Sequence, residues 1–353
     1  MNKEELGWNL FFEKAFEPYL EEGYQAGRVS LEHKHMYRVQ TESGEALAEV
    51  SGKMRHLAVR REDYPAVGDW VVVSVREEEQ RATIHAVLPR KSKFSRKVAG
   101  QVTEEQIVAT NVDTVFLVTA LNLDFNVRRI ERYLVLAWES GANPVIVLSK
   151  ADLCEDPEAL AAEVAAVAVG VPIHIISSAE NRGLEELAAY VTLGKTVALL
   201  GSSGVGKSTL VNRIYGKEIL ETGDIREGDD KGKHTTTHRE LITLPGGGIL
   251  IDTPGMRELQ LWDASEGLST SFQDIEELAV QCYFQDCRHE NEPKCAVKGA
   301  LEDGTLPQER FSNYVKLQKE LAYLARKEDK GLQAAEKAKW KKIHQSLKSQ
   351  INR

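Results

Sequence analysis

The sequence lacks the long apolar runs of membrane proteins. No stretch of its 353 residues approaches the roughly 18 uncharged apolar residues that a transmembrane helix needs. The opening segment, MNKEELGWNLFFEKAFEPYLEE, is acidic and has no secretory charge pattern. We therefore expect a cytoplasmic protein. With 42% hydrophobic residues, the chain is long enough for two or three domains that each bury a core.

Cysteine is also scarce, and its distribution argues against disulfides. Of four cysteines, three fall within fourteen residues beside a histidine. Such clustering without an export signal is typical of a metal site in a reducing compartment. The spacing Cys282-x4-Cys287-x-His289-x5-Cys295 supplies three thiolates and one imidazole, the full ligand set of a closed structural zinc site. A redox cluster is the alternative, and Cys154 is expected to be a lone thiol.

Positive charge is in deficit, which at first argues against a nucleic-acid partner. The formal net charge is −9, whereas phosphate contacts come from Lys and Arg. Two segments are nevertheless basic. Residues 310–353 carry 12 Lys and Arg against 4 Asp and Glu, and PRKSKFSRK (89–97) carries five basic residues. We expect these segments either to touch RNA locally or to be solvated faces.

The N-terminal part predicts a small β-barrel. Four segments rich in Val and Ile are separated by turn signals and are expected to be short strands: GRVSLEHKHMYRVQT, EALAEVSG, DWVVVSV and RATIHAVL. Several short strands in so few residues are typical of an OB-fold. Basic residues and Phe94 beside such a barrel form a common RNA-binding surface. A structural barrel without a ligand is the alternative.

A different pattern begins after Thr103. Continuous apolar runs such as VDTVFLVTAL and NPVIVL alternate with segments of helical periodicity. This alternation predicts an open parallel sheet with helices on both faces. Beyond about Ser271 the chain becomes helical.

The clearest functional motif is GSSGVGKS at residues 201–208. It matches the phosphate loop G-x-x-x-x-G-K-[ST] and lies between a predicted strand, KTVALL, and a predicted helix, STLVNRIYG. Lys207 is expected to reach the β- and γ-phosphates and to assist catalysis, and Ser208 to ligate magnesium. The predicted nucleotide contacts are Gly201, Ser202, Ser203, Gly204, Val205, Gly206, Lys207, Ser208 and Thr209.

Two further segments complete the predicted phosphate site. DTPG follows the strand GGILI, where Asp252 can hold magnesium and the amide of Gly255 can sense the γ-phosphate. Between this segment and the phosphate loop lies GKHTTTH, whose threonines 235 to 237 offer hydroxyls to magnesium. Which of them is the ligand stays open. We assign that role to Thr236 and a nucleotide contact to Thr235.

Base identity is predicted from SKAD (149–152), which follows the strand PVIVL. Asp152 can accept two hydrogen bonds from guanine that adenine cannot supply, and Lys150 can pack its stem on the ring. Ser149 stands where the motif usually has Asn, so we expect one tethering amide to be missing and the site to be fixed less firmly. The residues after the strand PIHII are expected to contact the guanine oxygen through a backbone amide: Ser177, Ser178 and Ala179.

The order of the motifs is permuted, because the base motifs precede the phosphate loop. A parallel sheet tolerates this, since binding loops gather at one edge wherever the chain was cut. The barrel with PRKSKFSRK, the motifs SKAD, GSSGVGKST, GKHTTTH and DTPGMREL, and the Cys and His spacing together resemble the RsgA (YjeQ) family over nearly the whole chain. The resemblance implies a GTPase that binds the small (30S) ribosomal subunit and its rRNA late in maturation and is stimulated by it.

We therefore predict a multidomain fold and GTP/GDP, Mg²⁺ and one structural Zn²⁺ as cofactors, in a monomer. The segments are an N-terminal extension (1–26), an N-terminal β-barrel of the OB-fold type that binds RNA (27–103), a central α/β circularly permuted P-loop GTPase domain (104–272), and a C-terminal α-helical zinc-binding domain with a basic C-terminal helix (273–353).

Hydrolysis needs a group that positions water. Met256 follows D-x-x-G, where common GTPases carry Gln, and a thioether cannot orient water. His234 can, and the resemblance points to it; an exposed loop histidine is the alternative. We expect the subunit to order this loop and so to accelerate slow intrinsic hydrolysis. The competing functions are an RNA-binding module in which hydrolysis is incidental and an ATPase, which Asp152 opposes.

Overall fold

The computed structural model describes residues 2–33, 36–98, 104–219, 240–252, 265–290 and 292–325. The described strands are β1 (Gln25–His33), β2 (Met36–Thr41), β3 (Gly44–Val50), β4 (Trp70–Arg76), β5 (Arg81–Val87), β6 (Lys93–Val98), β7 (Glu104–Thr110), β8 (Thr114–Ala120), β9 (Asn143–Ser149), β10 (Ile173–Ile175), β11 (Thr196–Leu200), β12 (Glu240–Thr243) and β13 (Ile249–Asp252). The described α-helices are α1 (Leu10–Phe16), α2 (Gly52–Leu57), α3 (Val127–Ser140), α4 (Pro157–Ala165), α5 (Leu184–Leu187), α6 (Lys207–Tyr215), α7 (Ser265–Ser271), α8 (Gln273–Val280), α9 (Ala296–Glu302) and α10 (residues 308–325). Within these ranges, no helix is both long and apolar enough to cross a membrane.

Strands β1 to β5 close into a barrel. Their order is β1-β2-β3-β5-β4, and β4 pairs back onto β1. Only the β3–β5 pair is parallel, and α2 connects β3 to β4, which is the OB-fold arrangement. The predicted barrel is therefore confirmed. Its interior is filled by small and β-branched side chains, among them Val29, Val39, Ala48, Val71 and Ile84.

One strand prediction is wrong. GRVSLEHKHMYRVQT forms two antiparallel strands, β1 and β2, whose pairing runs from Arg28 opposite Gln40 to His33 opposite Met36. The reversal escaped sequence reasoning because no Gly, Pro, Asn or Asp marks it.

The residues before Gly27 pack on the outside of the barrel. Phe12 and Phe16 of α1 are buried, and the rings of Trp8 and Trp70 meet edge to face with centroids 4.7 Å apart. Trp70, in β4, is fully buried by this contact. The N-terminal segment thus covers an apolar face that the barrel would otherwise expose to water.

The guanidinium of Arg28, in β1, ties three parts of the chain together. It is 1% exposed and donates to the carbonyl oxygens of Leu6 (2.5 Å), Gly68 (3.2 Å) and Asn111 (3.3 Å). Burial lowers the pKa of Arg28 to about 10, although the charges of Asp113 and Asp69 oppose the shift. The group therefore stays protonated at neutral pH. It joins the N-terminal segment and the barrel to the start of the central sheet.

The central sheet has the predicted parallel core. Its order is β10-β9-β8-β11-β13, all parallel, with β12 antiparallel to β13 at one edge. Leu31 of β1 pairs with Glu240 of β12, so the barrel continues this sheet. One face is covered by α3 and α4 and the other by α5 and α6. The carboxyl ends of β9, β10, β11 and β13 meet along one edge, where the predicted motifs follow.

The helices after β13 share the core beneath α3. Phe272, Ile275, Val297 and Leu317 belong to the same apolar cluster as Ile130 and Leu134 of α3. A buried ion pair reinforces this contact, because Arg310 of α10 donates to Glu131 of α3 at 2.7 Å, and these side chains are 7% and 1% exposed. Asn313 donates to the other carboxylate oxygen of Glu131 at 2.6 Å.

Replacing Arg310 with Met should destabilise the protein strongly. The substitution removes the buried cation of the Glu131 carboxylate and leaves only Arg128, which is 30% exposed, at 2.9 Å; breaking such a buried pair costs up to about 3–5 kcal/mol of the free energy of unfolding. Arg132→Met is the matched control, because Arg132 pairs with Glu320 across the same helices but both side chains are about one-third exposed, and such pairs contribute below about 1 kcal/mol. Urea unfolding followed by circular dichroism measures both. Equal losses in the two variants would contradict the assignment.

Candidate nucleotide site and metal centre

The phosphate loop lies between the end of β11 and the start of α6. Gly204 and Gly206 have φ values of 74° and 94°, a left-handed conformation that residues with a Cβ rarely adopt. Gly201 packs against the carbonyl of Val118, and a Cβ there would collide with that oxygen. The N–H of Leu210 donates to the Gly206 carbonyl at 2.9 Å and starts the helix. The glycine spacing therefore gives a turn whose amides can face an anion.

Lys207 places its ammonium group within this turn. Its Nζ donates to the carbonyl oxygens of Gly201 at 2.7 Å and Ser202 at 2.6 Å. Ser208 and Thr209 follow on the first turn of α6 and are half-buried. The loop thus combines backbone donors with a cation, the combination that holds nucleotide phosphates.

The two predicted base segments lie side by side. Lys150 has a left-handed backbone (φ 59°), and the chain then makes a single 3₁₀ turn over Ala151–Leu153. Ser177, which is fully buried, donates its hydroxyl to Asp152 Oδ1 at 2.5 Å. Sequence reasoning assigned Ser177 only to a loop that contacts the base. The structure shows that its hydroxyl also orients the carboxylate expected to recognise guanine. Ser178 is half-buried beside it, and Ala179 is exposed.

Ser149, which was expected to leave the base motif less firmly attached, forms a hydrogen bond of its own to the phosphate loop. Its Oγ donates to the carbonyl of Val205 in the phosphate loop at 2.6 Å and lies 3.3 Å from that of Thr119. The side chain is buried. The hydroxyl of Ser149 therefore links the base motif to the phosphate loop, a role expected of the amide of the usual Asn.

Several predicted residues lie outside the described part of the chain. The backbone of Asp252 ends β13, next to β11, at the same sheet edge as the phosphate loop, but its side chain is not described. The remaining predicted switch residues fall in 220–239 and 253–264: His234, Thr235, Thr236, Thr237, Gly255 and Met256.

The cysteine cluster forms a compact set of ligand atoms. One atom from each of Cys282, Cys287, His289 and Cys295 lies within 4.8 Å of all the others. The Sγ atoms of Cys282 and Cys295 are 3.8 Å apart, which is the separation of two thiolates that each lie about 2.3 Å from a tetrahedral zinc ion. Cys295 also caps α9, because its Sγ accepts from the N–H of Lys298. The donor set therefore fits a structural metal ion.

The basic segment beside the barrel differs from its predicted role. Phe94 is 2% exposed and belongs to the core, so it cannot stack on a base. Arg90 donates twice to Asp69, at 2.7 and 2.8 Å, and Asp69 is fully buried. Lys93 pairs with Glu105 across the β6–β7 hairpin at 2.8 Å. Within residues 89–95, exposed and buried side chains alternate, and Ser92 and Phe94 face inward. The predicted role of Arg90 and Phe94 in RNA binding is therefore wrong.

Sequence reasoning missed a group of residues on α3 beside the phosphate loop. Arg129 donates to the Oγ of Ser202 at 3.0 Å, and the hydroxyl of Tyr133 lies 3.3 Å from the same atom. Asp124 accepts two hydrogen bonds from Arg129, at 2.6 and 3.0 Å. These hydrogen bonds hold the pKa of Asp124 below its usual value. No motif marks these residues, because Ser202, which Arg129 and Tyr133 contact, lies far from them in the sequence.

Comparison with protein families gives two matches. The RsgA GTPase model matches residues 87–262. A model of the ABC transporter family matches residues 184–347, a range that includes the phosphate loop but not the SKAD segment at 149–152. Over the whole chain, the sequence is 48% identical to the small ribosomal subunit biogenesis GTPase RsgA of Opitutus terrae, covering 99% of this chain and 98% of that protein.

Two solved structures share the architecture. One is YjeQ from Thermotoga maritima, at 32% identity and a TM-score of 0.64, covering 85% of this chain and 99% of the other. The second is YloQ, described as a circularly permuted GTPase, at 28% identity and a TM-score of 0.61, covering 85% and 95% of the two chains.

Ser149→Ala should weaken guanine-nucleotide binding about fivefold. The variant removes a buried hydrogen bond between base motif and phosphate loop, with a net value of about 1 kcal/mol. Ser149→Thr, which keeps the hydroxyl, should bind like the wild type, and Ser149→Asn tests the amide usual at this position. Titration with a fluorescent GDP analogue gives the dissociation constants. If Ser149→Ala binds like Ser149→Thr, the hydroxyl does not link the two segments.

Proposed function

Because this chain belongs to the RsgA GTPase family, we propose that it binds guanine nucleotide with magnesium and couples GTP hydrolysis to biogenesis of the small ribosomal subunit. The last role is the one named for its relative from Opitutus terrae. The observation that carries the proposal is the junction of the base motif and the phosphate loop through Ser149 and Val205. It supports one continuous site for base and phosphates.

Guanine specificity is assigned to Asp152. Its carboxylate, oriented by Ser177, can accept hydrogen bonds from both the ring N–H and the exocyclic amine of guanine. Adenine offers no such pair of donors. The neighbouring Lys150 supplies an aliphatic stem against the ring. The site is therefore proposed to select GTP over ATP.

The phosphate end is assigned to residues of the loop and the two switch segments. Lys207 exchanges its carbonyl partners for phosphate oxygens, where its charge offsets that of the transferred group. Magnesium would be held by Ser208, Thr236 and Asp252, and it supplies further charge neutralisation when bound. The loop amides and Lys207 position the phosphates, which is the main contribution of the protein in phosphoryl transfer.

Water activation is assigned to His234. Met256 has no group that can orient water, and His234 adjoins the threonines proposed to face magnesium. The imidazole would orient the attacking water or accept its proton. We further propose that contact with the small subunit places His234, so that hydrolysis is slow without the subunit.

The proposal is tested by GTP turnover with and without purified small subunits. The wild type should be stimulated by the subunits. His234→Ala should bind GTP and the subunit almost normally, but its stimulated turnover should fall by roughly 10²–10⁴-fold, the range for loss of a positioned acid or base. His238→Ala, four residues away in the same segment, is the control.

Two outcomes would contradict the proposal. Stimulated turnover of His234→Ala within about threefold of the wild type, under roughly 1 kcal/mol of barrier, would make His234 a bystander. Wild-type turnover that ignores the subunits would favour an RNA-binding module in which hydrolysis is incidental.

The metal in the cysteine cluster is proposed to be zinc. Three thiolates and one imidazole leave no open position for chemistry, so the site is structural. It joins the end of α8 to the start of α9, and residues 308–325 pack beside it through the ring of Phe311, 6.3 Å from that of His289. The helical region after α8 is therefore proposed to depend on metal for its packing against α3.

Removing zinc should loosen this region. Metal binding contributes folding free energy to a small site of this kind, so chelation or Cys287→Ser should lower the melting temperature and weaken subunit binding. Cys154→Ser is the matched control, because Cys154 lies outside the cluster. Elemental analysis of protein purified without chelator should find about one zinc per chain. Protein that contains no metal, or melting unaffected by chelation, would contradict the assignment.

The remaining features of the proposal concern partner and compartment. We propose a cytoplasmic monomer that contacts ribosomal RNA through its barrel and its basic C-terminal segment. Since Arg90 and Phe94 pack inside the protein, we propose that residues 310–353 contribute more to RNA binding than the barrel does. Salt-dependent subunit binding is the expected signature.

A further inference from the structure

Helix α3 presents its arginines to two different parts of the molecule. Arg128 and Arg132 face α10, where their partners are Glu309 and Glu320. Arg128 also pairs with the buried Glu131 of α3 at 2.9 Å. Arg129 points instead to the phosphate loop and contacts Ser202. The N-terminal end of α3 is fixed by its cap, because the side chain of Asn126 accepts from the N–H of Arg129 at 3.1 Å. The direction of the Arg129 side chain is therefore determined by the helix on which it lies.

Ser202 is held by two cations at once. Lys207 donates to its carbonyl oxygen at 2.6 Å, and Arg129 donates to its hydroxyl at 3.0 Å. Ser202 follows Gly201 directly, at the point where β11 turns into the loop. When Lys207 moves to a phosphate, as proposed for nucleotide binding, it loses its hydrogen bond to the Ser202 carbonyl. The hydroxyl contacts with Arg129 and Tyr133 then hold this residue against α3.

The guanidinium is itself held in place. Asp124 binds two of its nitrogens in a fork, a geometry that fixes the plane of the group and that a lysine cannot reproduce. The pair is partly exposed, with 30% and 54% of the Arg129 and Asp124 side chains accessible to solvent. Its contribution to folding stability is therefore small, and removing it should leave the fold intact.

We propose that Arg129 is a positioning residue for GTP hydrolysis, acting through the hydroxyl of Ser202 to hold the first turn of the phosphate loop during phosphoryl transfer. This positioning role rests on the proposed GTPase activity. Transfer depends on the alignment of loop donors with the charge that develops in the transition state. A small displacement of these donors costs rate more than it costs nucleotide affinity, because binding is shared among the base contacts and all the loop amides.

A double-mutant cycle in single-turnover GTP hydrolysis tests this role. Arg129→Ala and Ser202→Ala should each lower the catalytic rate about tenfold, with the dissociation constant for a GTP analogue changed less than twofold. The double variant should be no slower than either single variant, because both remove the same contact. Arg132→Ala, three residues along α3 and paired with Glu320 of α10, is the matched control and should retain the wild-type rate.

The outcomes separate this role from a structural one. Losses of rate that multiply in the double variant would show that Arg129 does not act through Ser202 and would overturn the proposal. So would a rate for Arg129→Ala equal to that of Arg132→Ala, or a loss confined to nucleotide affinity. A wild-type protein with no GTP turnover would overturn the proposed function as well. Melting temperatures of all variants confirm that each is folded.

Discussion

The buried ion pair between Glu131 and Arg310 docks the C-terminal helices on α3, the helix that also reaches the phosphate loop. A carboxylate that is 1% exposed is tolerable only with a partner. Arg310 and Asn313 supply partners from α10, and Arg128 supplies a third from α3 itself, so docking of the C-terminal helices stabilises the buried charge. The same helix carries Arg129 and Tyr133 to the phosphate loop. A single rigid element therefore contacts both the loop and the region that contains the metal cluster.

Features that depend on backbone conformation were predictable from the sequence. Gly204 and Gly206 specify left-handed turns that few other residues accept, so the phosphate loop could be placed to the residue. The spacing of the cysteines and the histidine was informative in the same way. Four side chains can surround a tetrahedral ion only if their separations along the chain fall within a narrow range. The parallel sheet followed from continuous apolar runs, because strands buried on both faces have no polar alternation.

Features that depend on side chains from distant segments were not predictable. Ser149 and Val205 are 56 residues apart, and Arg129 and Ser202 are 73 apart; no local pattern signals either contact. Arg90 and Phe94 were misassigned because charge and aromaticity in a sequence do not show which face of a strand they occupy. Arg90 is engaged by the buried carboxylate of Asp69, and Asp69 becomes buried only once the barrel has closed.

The pairing of β12 with the barrel has a consequence for how the protein behaves in concentrated solution. An open sheet normally ends in a row of unpaired N–H and C=O groups that can recruit a strand from another molecule and begin aggregation. Here one edge strand, β12, continues through Leu31 and Glu240 into a barrel, where strands β1 to β5 close on themselves. At the opposite edge, β10 is three residues long, too short to template a stable added strand. In the described part of the chain, the eleven-stranded sheet thus offers only short edges, at β10 and beyond the single pair of β12 with β1, to a strand of another molecule.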